Sequence, residues 1–269
     1  MTPETAASAA RASMARVYDA LLGGKDNYAA DRDLAARMAA ADCERRDDRG
    51  RIISRGIIQR ARDNRAFTAA AARRAAQAGI AQFLDLGTGL PRHPAVHETA
   101  REVIPGARCA YIDSDPVVVA HLRALLATGE GLAASAGDLA DPARVLAAPP
   151  VRAVIRPGEP LCVIAAAVLH FYDPQRAREI AQGYAQRIPP GSWLAVSCAC
   201  YADPELLAAM QAMYTPARFF SHGPAEVASF LEGLELIPPG VTCARRWPRG
   251  ITGLPAQAAY MVCAAGRKI

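Results

Sequence analysis

The chain has 269 residues, 52% of them apolar and a net charge of +5, a size that suits one large domain or a domain with a small appendage. No apolar run reaches the roughly 18 residues a membrane helix needs, and the opening "MTPETAASAARASMARVYD" lacks a basic-then-apolar leader pattern. Seven cysteines form no paired framework and no CxxC, which reads as reduced thiols in a cytoplasmic protein and excludes a structural zinc site.

Residues 1–78 hold the whole charge excess, with 15 basic and 10 acidic side chains. Acids and bases interleave in "DCERRDDRGR", so solvated helical faces are expected rather than a nucleic-acid surface. "ARVYDALL" has helical spacing and stops at Gly23-Gly24. Asp26 or Asn27 can cap the next helix, "YAADRDLAARMAAA". "GRIISRGIIQRARDNRAFTAAAARRAAQAG" continues as one or two helices, and no strand pattern is visible before Gly79.

Beyond Gly79 the pattern alternates. "IAQFLDLG", "ARCAYIDSD", "GLAASAGD", "PLCVIAAAVLHF" and "PGSWLAVSCAC" read as strands separated by helices, Pro116 opening one of them. "DPELLAAMQAMY" and "GPAEVASFLEG" are helical, and "LELIPPGVTCARRW" and "AAYMVCAAGRK" read as a final antiparallel pair. The expected fold is α/β, with a mostly parallel seven-stranded sheet whose last strand is antiparallel. It divides into an N-terminal helical cap, 1–78, and a Rossmann-like domain, 79–269.

Asp85, Gly87, Thr88 and Gly89 follow directly on the first of these strands, where ligands bind in doubly wound sheets. Arg92 stands where a dinucleotide fingerprint needs its third glycine, which argues against NAD. Asp113 ends the second strand, placed to accept both hydroxyls of a ribose, and Asp138 ends the third, placed to reach the amino edge of an adenine. Asp115, before Pro116, reads as a helix N-cap. Three acids on three consecutive strand ends indicate an adenosine site without a phosphate cradle. "GGKDN" is not a phosphate loop either, since no strand precedes it and Asp26 follows Lys25.

At these residues the chain resembles class I S-adenosylmethionine-dependent methyltransferases. "RVYDALLGGKDNYAADRD", "NRAF", "FLDLGTGLP", "VHETA", "AVLHF" and "LEGLELIPPG" together resemble one methyltransferase-like family abundant in actinomycetes, over nearly the whole chain. The resemblance implies S-adenosyl-L-methionine as cofactor. It implies cofactor contacts at Asp85, Gly87, Thr88, Gly89, Asp113, Ser114, Gly137, Asp138, Leu139 and Ala166. It also implies an N-terminal cap that closes over cofactor and substrate. Arg65 in "NRAF" would pair with the methionine carboxylate, with a helix-surface arginine as its alternative, and Tyr18, Lys25 and Asn27 would line the lid or hold the substrate. For "GGKDN" a plain helix end and turn is the other reading. His170, after the fourth strand, is the candidate general base, with a buried histidine bonded to backbone as its alternative. His97 reads as structural. The expected function is methyl transfer to a small-molecule acceptor, in specialised metabolism; the alternative is a non-catalytic, cofactor-binding regulator. The [DN]PP[FY] signature of nucleic-acid methyltransferases is absent, the fourth strand ending in "AAAVLHF".

Overall fold

The computed structural model describes residues 11–214, 217–249 and 259–269. The first ten residues of the expected cap lie outside them. Helices α1 (Met14–Leu21) and α2 (Ala29–Ala41) come first, then strands β1 (Glu44–Arg46) and β2 (Ile52–Arg55) and the 22-residue helix α3 (Gly56–Gln77). The core alternation follows as β3 (Gln82–Leu86), α4 (Val96–Arg101), β4 (Arg108–Asp113), α5 (Pro116–Leu125), β5 (Leu132–Ala136), α6 (Pro142–Ala147), α7 (Pro149–Val154), β6 (Cys162–Ala166), α8 (Pro174–Arg187) and β7 (Trp193–Tyr201). Helices α9 (Pro204–Met213) and α10 (Pro224–Phe230) precede strands β8 (Glu235–Leu236), β9 (Thr242–Cys243) and β10 (Ala259–Arg267).

The sheet runs β5-β4-β3-β6-β7-β10-β8, with β9 also paired to β10. Pairs from β5 through β7 are parallel, and β10 is antiparallel to β7, β8 and β9. The expected mixed sheet is therefore present, with one strand more. "LELIPPGVTCARRW" gives two two-residue strands instead of one long one, because Pro238 and Pro239 cannot donate to a ladder. Chain order reverses between β3 and β6, which opens a crevice at their carboxyl ends. No described helix is long and apolar enough to cross a membrane.

Strand periodicity decides which residues face that crevice from which side. Phe83, Cys109 and Tyr111 pack in one core layer, whereas Leu84, Leu86, Ala110 and Ile112 pack in the other. With a period of two, Asp85 and Asp113 fall on the Phe83–Tyr111 face. That face is covered by α3, whose Phe67, Ala71, Ala72 and Ala75 are fully buried. The small alanine face lets α3 lie close to the sheet, so a helix from the N-terminal segment is part of the sheet's own packing.

Two local expectations are corrected. Residues 44–55 form a β-hairpin, not a helix. Asp47 accepts from the N–H groups of Arg49 and Arg51, and Gly50 adopts φ 74°, so the "DDRG" turn was the available signal. The cap of α2 falls at Tyr28 instead of Asp26 or Asn27. There Asp31 Oδ2 accepts from the Tyr28 N–H at 2.8 Å while also pairing with Arg16 of α1 at 2.7 Å.

Candidate active site

A cavity of about 430 Å³ lies at the carboxyl ends of the strands, walled by α1, α3 and the turns after β3, β4 and β6. At one end it is lined by Asp85, Gly87, Thr88, Gly89, Asp113 and Ser114. Asp113 Oδ2 accepts from the Gly89 N–H and Oδ1 from the Asp115 N–H, both at 2.9 Å. Two backbone donors thus aim the carboxylate while each oxygen keeps a lone pair for a ligand hydroxyl. Burial raises its pKa against the opposing effect of those two donors. Asp85 is pushed up to about 7, chiefly by burial, with Arg65 working against the shift and Asp113 adding to it.

The glycines have distinct reasons. Gly87 adopts φ 60°, and a Cβ there would lie 2.4 Å from Val168 Cγ1. Gly89 adopts φ 69°, and nothing lies within 4 Å of where its Cβ would project. The first glycine is demanded by protein packing and the second leaves room beside Asp113 for a ligand.

Arg65 lines the cavity and donates to the carbonyls of Arg92 (3.2 Å) and Pro94 (2.9 Å). It has no ion-pair partner among the described residues. Leu139 and Ala166 reach the wall too. Gly137 and Asp138 do not line the cavity. Asp138 is exposed and accepts from the Ala140 N–H at 2.8 Å and the Tyr172 hydroxyl at 3.4 Å, an Asx-type turn one residue short of the wall. Asp115 caps α5 through the Val117 N–H at 2.8 Å, as expected, and also reaches the cavity.

The "GGKDN" turn wraps a buried carboxylate. Asp19 of α1 accepts through Oδ2 from the Asp26 N–H (3.1 Å) and Asn27 Nδ2 (2.8 Å), and through Oδ1 from Arg92 at 2.7 Å. A Cβ on Gly24 would come within 1.9 Å of Asp19 Oδ1, so the glycine makes way for that side chain. Neither Asn27 nor Lys25 lines the cavity. Asn27 is spent on Asp19 and the Gly24 carbonyl, and Lys25 is exposed with no bond to a described residue. What the stretch brings to the wall is Tyr18, Asp19 and, through Asp19, Arg92. Tyr18 donates to the Ala61 carbonyl at 3.0 Å and accepts from Asn64 at 3.1 Å; burial raises its pKa. Asn64 also accepts from Ser197 of β7, whose hydroxyl receives the Ala167 N–H, so one polar chain ties α1, α3, β7 and the turn after β6.

His170 lines the cavity and is 6% exposed. Its Nδ1 accepts from the Ala199 N–H at 3.3 Å, which leaves the ring proton on Nε2. Burial, with His222 nearby, pulls its pKa down to about 3. The ring is neutral and its free lone pair is already engaged, which favours the alternative of a buried histidine bonded to backbone over a general base. His97 accepts or donates through Nδ1 to the Tyr111 hydroxyl at 2.6 Å beneath α4, away from the cavity.

Sequence reasoning missed the far end of the cavity. Arg60 and Tyr201 lie there, with Arg60 paired to buried Asp42 and donating to the Tyr201 hydroxyl at 2.7 Å. Burial works against the guanidinium charge, but Tyr201 and Asp42 more than offset it. Phe171, Tyr214 and Phe219 complete this end. Arg60 and Asn64 sit one turn apart on α3, with Arg65 beside them, a polar stripe that was readable in "RARDNR".

The S-adenosyl methyltransferase family matches residues 2–268. A solved candidate methyltransferase of Thermobifida fusca YX is 31% identical, with 99% of this chain and 98% of that one covered and a TM-score of 0.86. A DUF574 family protein of Streptomyces avermitilis MA-4680 is 33% identical, with 97% and 99% covered and a TM-score of 0.83. No curated protein matches the chain.

Proposed function

We propose, for a chain that belongs to the S-adenosyl methyltransferase family, that the methyl acceptor is a small molecule bound in the same cavity as the cofactor. The chain is an S-adenosylmethionine-dependent methyltransferase; the acceptor class and the residue roles below are the proposal. The observation that carries it is one continuous cavity of about 430 Å³ running from the strand-end acids to Tyr201, within the size range of small-molecule sites, ~300–1,000 Å³.

The residues present fit the cofactor. Open space at Gly89 beside Asp113 suits a ribose whose hydroxyls donate to that carboxylate. Asp85 and Arg65, close enough to shift Asp85's ionisation, suit the ammonium and carboxylate of an amino-acid tail. Bound there, the cofactor supplies an electrophilic methyl group on a sulfonium. The chain's own part is to hold the acceptor in line and keep water out. Tyr18, Asn64 and Arg92 stand between the two ends and act as positioning groups for both ligands.

The N-terminal segment, 1–78, serves as the cap over the sheet domain, 79–269. Arg16 pairs with Asp31 and Arg60 with Asp42 inside this segment, which favours a cap held together by charge over a nucleic-acid surface. Seven unpaired thiols, six of them buried, favour a cytoplasmic setting.

Calorimetry with S-adenosylhomocysteine and with NAD, followed by turnover assays on a fractionated cell extract, tests the proposal. We expect S-adenosylhomocysteine to bind, NAD not to, and the dialysable fraction to support turnover. Turnover supported only by the macromolecular fraction would overturn the small-molecule acceptor.

A further inference from the structure

We infer that the far end of the cavity takes a planar aromatic acceptor presenting an oxyanion, a phenolate or its fused-ring equivalent. The inference rests on the methyl-transfer reading above and names the chemistry of its acceptor.

Five rings form a continuous aromatic wall. His170 meets Phe171 at 4.6 Å between centroids and Phe219 at 5.2 Å. Tyr214 stacks on Phe171 at 5.8 Å and meets Phe219 at 5.1 Å, and Tyr201 meets Phe219 at 5.6 Å. All five line the cavity. Such a wall favours a flat ring that can stack or meet an edge.

The polar groups on this wall are donors. His170 offers Nε2–H, because Nδ1 is taken by the Ala199 N–H, and no partner of Nε2 is found among the described residues. The Tyr214 hydroxyl has none among them either, while Arg60, its charge paired with Asp42, donates to the Tyr201 hydroxyl. The Asp42 carboxylate beside this end is consumed by Arg60, Tyr201 and Ser54. A protonated amine would meet donors only, whereas an oxyanion can accept from both the His170 Nε2–H and the Tyr214 hydroxyl.

Among the described residues of this wall, no imidazole or carboxylate lone pair is left to take a proton from the acceptor. The acceptor enters as its anion; its oxygen bonds to the methyl carbon as the carbon–sulfur bond breaks, and that electron pair stays on sulfur. The two opposite charges cancel, giving a neutral aryl methyl ether and a neutral thioether, with no proton left to place.

The test uses 4-nitrophenol, whose absorbance separates phenol from phenolate, added to full-length protein saturated with S-adenosylhomocysteine. We expect binding as the phenolate, with the ionisation midpoint moved to lower pH than in free solution. Tyr214→Phe and His170→Phe, which keep the rings, should each weaken phenolate binding roughly ten- to hundredfold, the loss of one hydrogen bond to a charged group. S-adenosylhomocysteine affinity should stay unchanged in both, which also reports that the variants are folded. Absence of phenolate binding while S-adenosylhomocysteine binds would overturn the inference alone, as would equal binding of nitrobenzene or stronger competition by butylamine. Failure to bind S-adenosylhomocysteine would instead strike at the methyl-transfer reading itself.

Discussion

The two ends of the cavity are built by opposite means. The end around Asp85 and Asp113 is made from neighbouring strand termini, each acid within three residues of a glycine or a helix cap, and its polarity is carboxylate. The end around Tyr201 is assembled from α3, the turn after β6, β7 and the segment following α9, and its polarity is N–H and O–H. The difference teaches that one cavity can be polarised at one end by local backbone geometry and at the other by side chains borrowed from distant elements.

The change expected to separate the ends most strongly is Asp113→Ala. It removes a ribose acceptor and leaves the Gly89 and Asp115 N–H groups unanswered. Cofactor affinity should fall by about 1.5–3 kcal/mol, the range for hydrogen bonds to a charged group, read as the calorimetric dissociation constant for S-adenosylhomocysteine. An unchanged constant in a folded variant would move the ribose contact to Asp115 and blur the contrast.

Gly24→Ala attacks the wall between the ends. The new methyl would collide with Asp19 and displace Arg92. Thermal unfolding should show a loss of about 1–3 kcal/mol, as overpacking typically gives. A variant with wild-type stability would show that the wrap is loose.

Acidity offers a subtler separation. The Asp85 pKa is raised in the folded chain, so its contribution to stability is fully present below the ordinary carboxylate value of 3.8 and is lost as pH rises through about 7. The same ionisation favours a cationic ligand group, so cofactor affinity should increase as pH rises through about 7. Asp85→Asn should flatten both profiles; a persisting inflection would assign it elsewhere. His170, pulled down to about 3, should contribute no inflection near neutrality.

Smallest of all is Lys25→Ala, a surface change expected to stay within about 0.5 kcal/mol in stability and to leave cofactor affinity unaltered. Asn27→Ala should lower stability by about 0.5–1.5 kcal/mol through its lost bond to Asp19. A large loss of cofactor affinity with Lys25→Ala would restore that residue to the site.

The cofactor end was legible because its signals are local. A short apolar run, an acid and two glycines announce a strand end, and the next acid recurs at the following strand end. Asp138 shows the limit of that logic, since the rule reaches the strand end but not the turn that carries Leu139 to the wall in its place. "GGKDN" left a ligand-holding turn and a plain helix end both open for a related reason: its partner Asp19 lies a few residues back in the chain, folded beneath it. His170 was found by position, but the partner of its Nδ1 is the Ala199 N–H on β7, 29 residues on. The pairing of Arg60 with Asp42 and Tyr201 joins residues 18 and 141 positions apart, a separation no local pattern encodes.

Helix α3 carries Arg60 toward the aromatic end and Arg65 toward the acids on a single rigid rod, five residues and about 7.5 Å of rise apart. Arg60 is fastened to Asp42 and Tyr201, and Arg65 to the carbonyls of Arg92 and Pro94. Helix rise thus acts as the ruler that sets the spacing between the two anchoring points of the cavity.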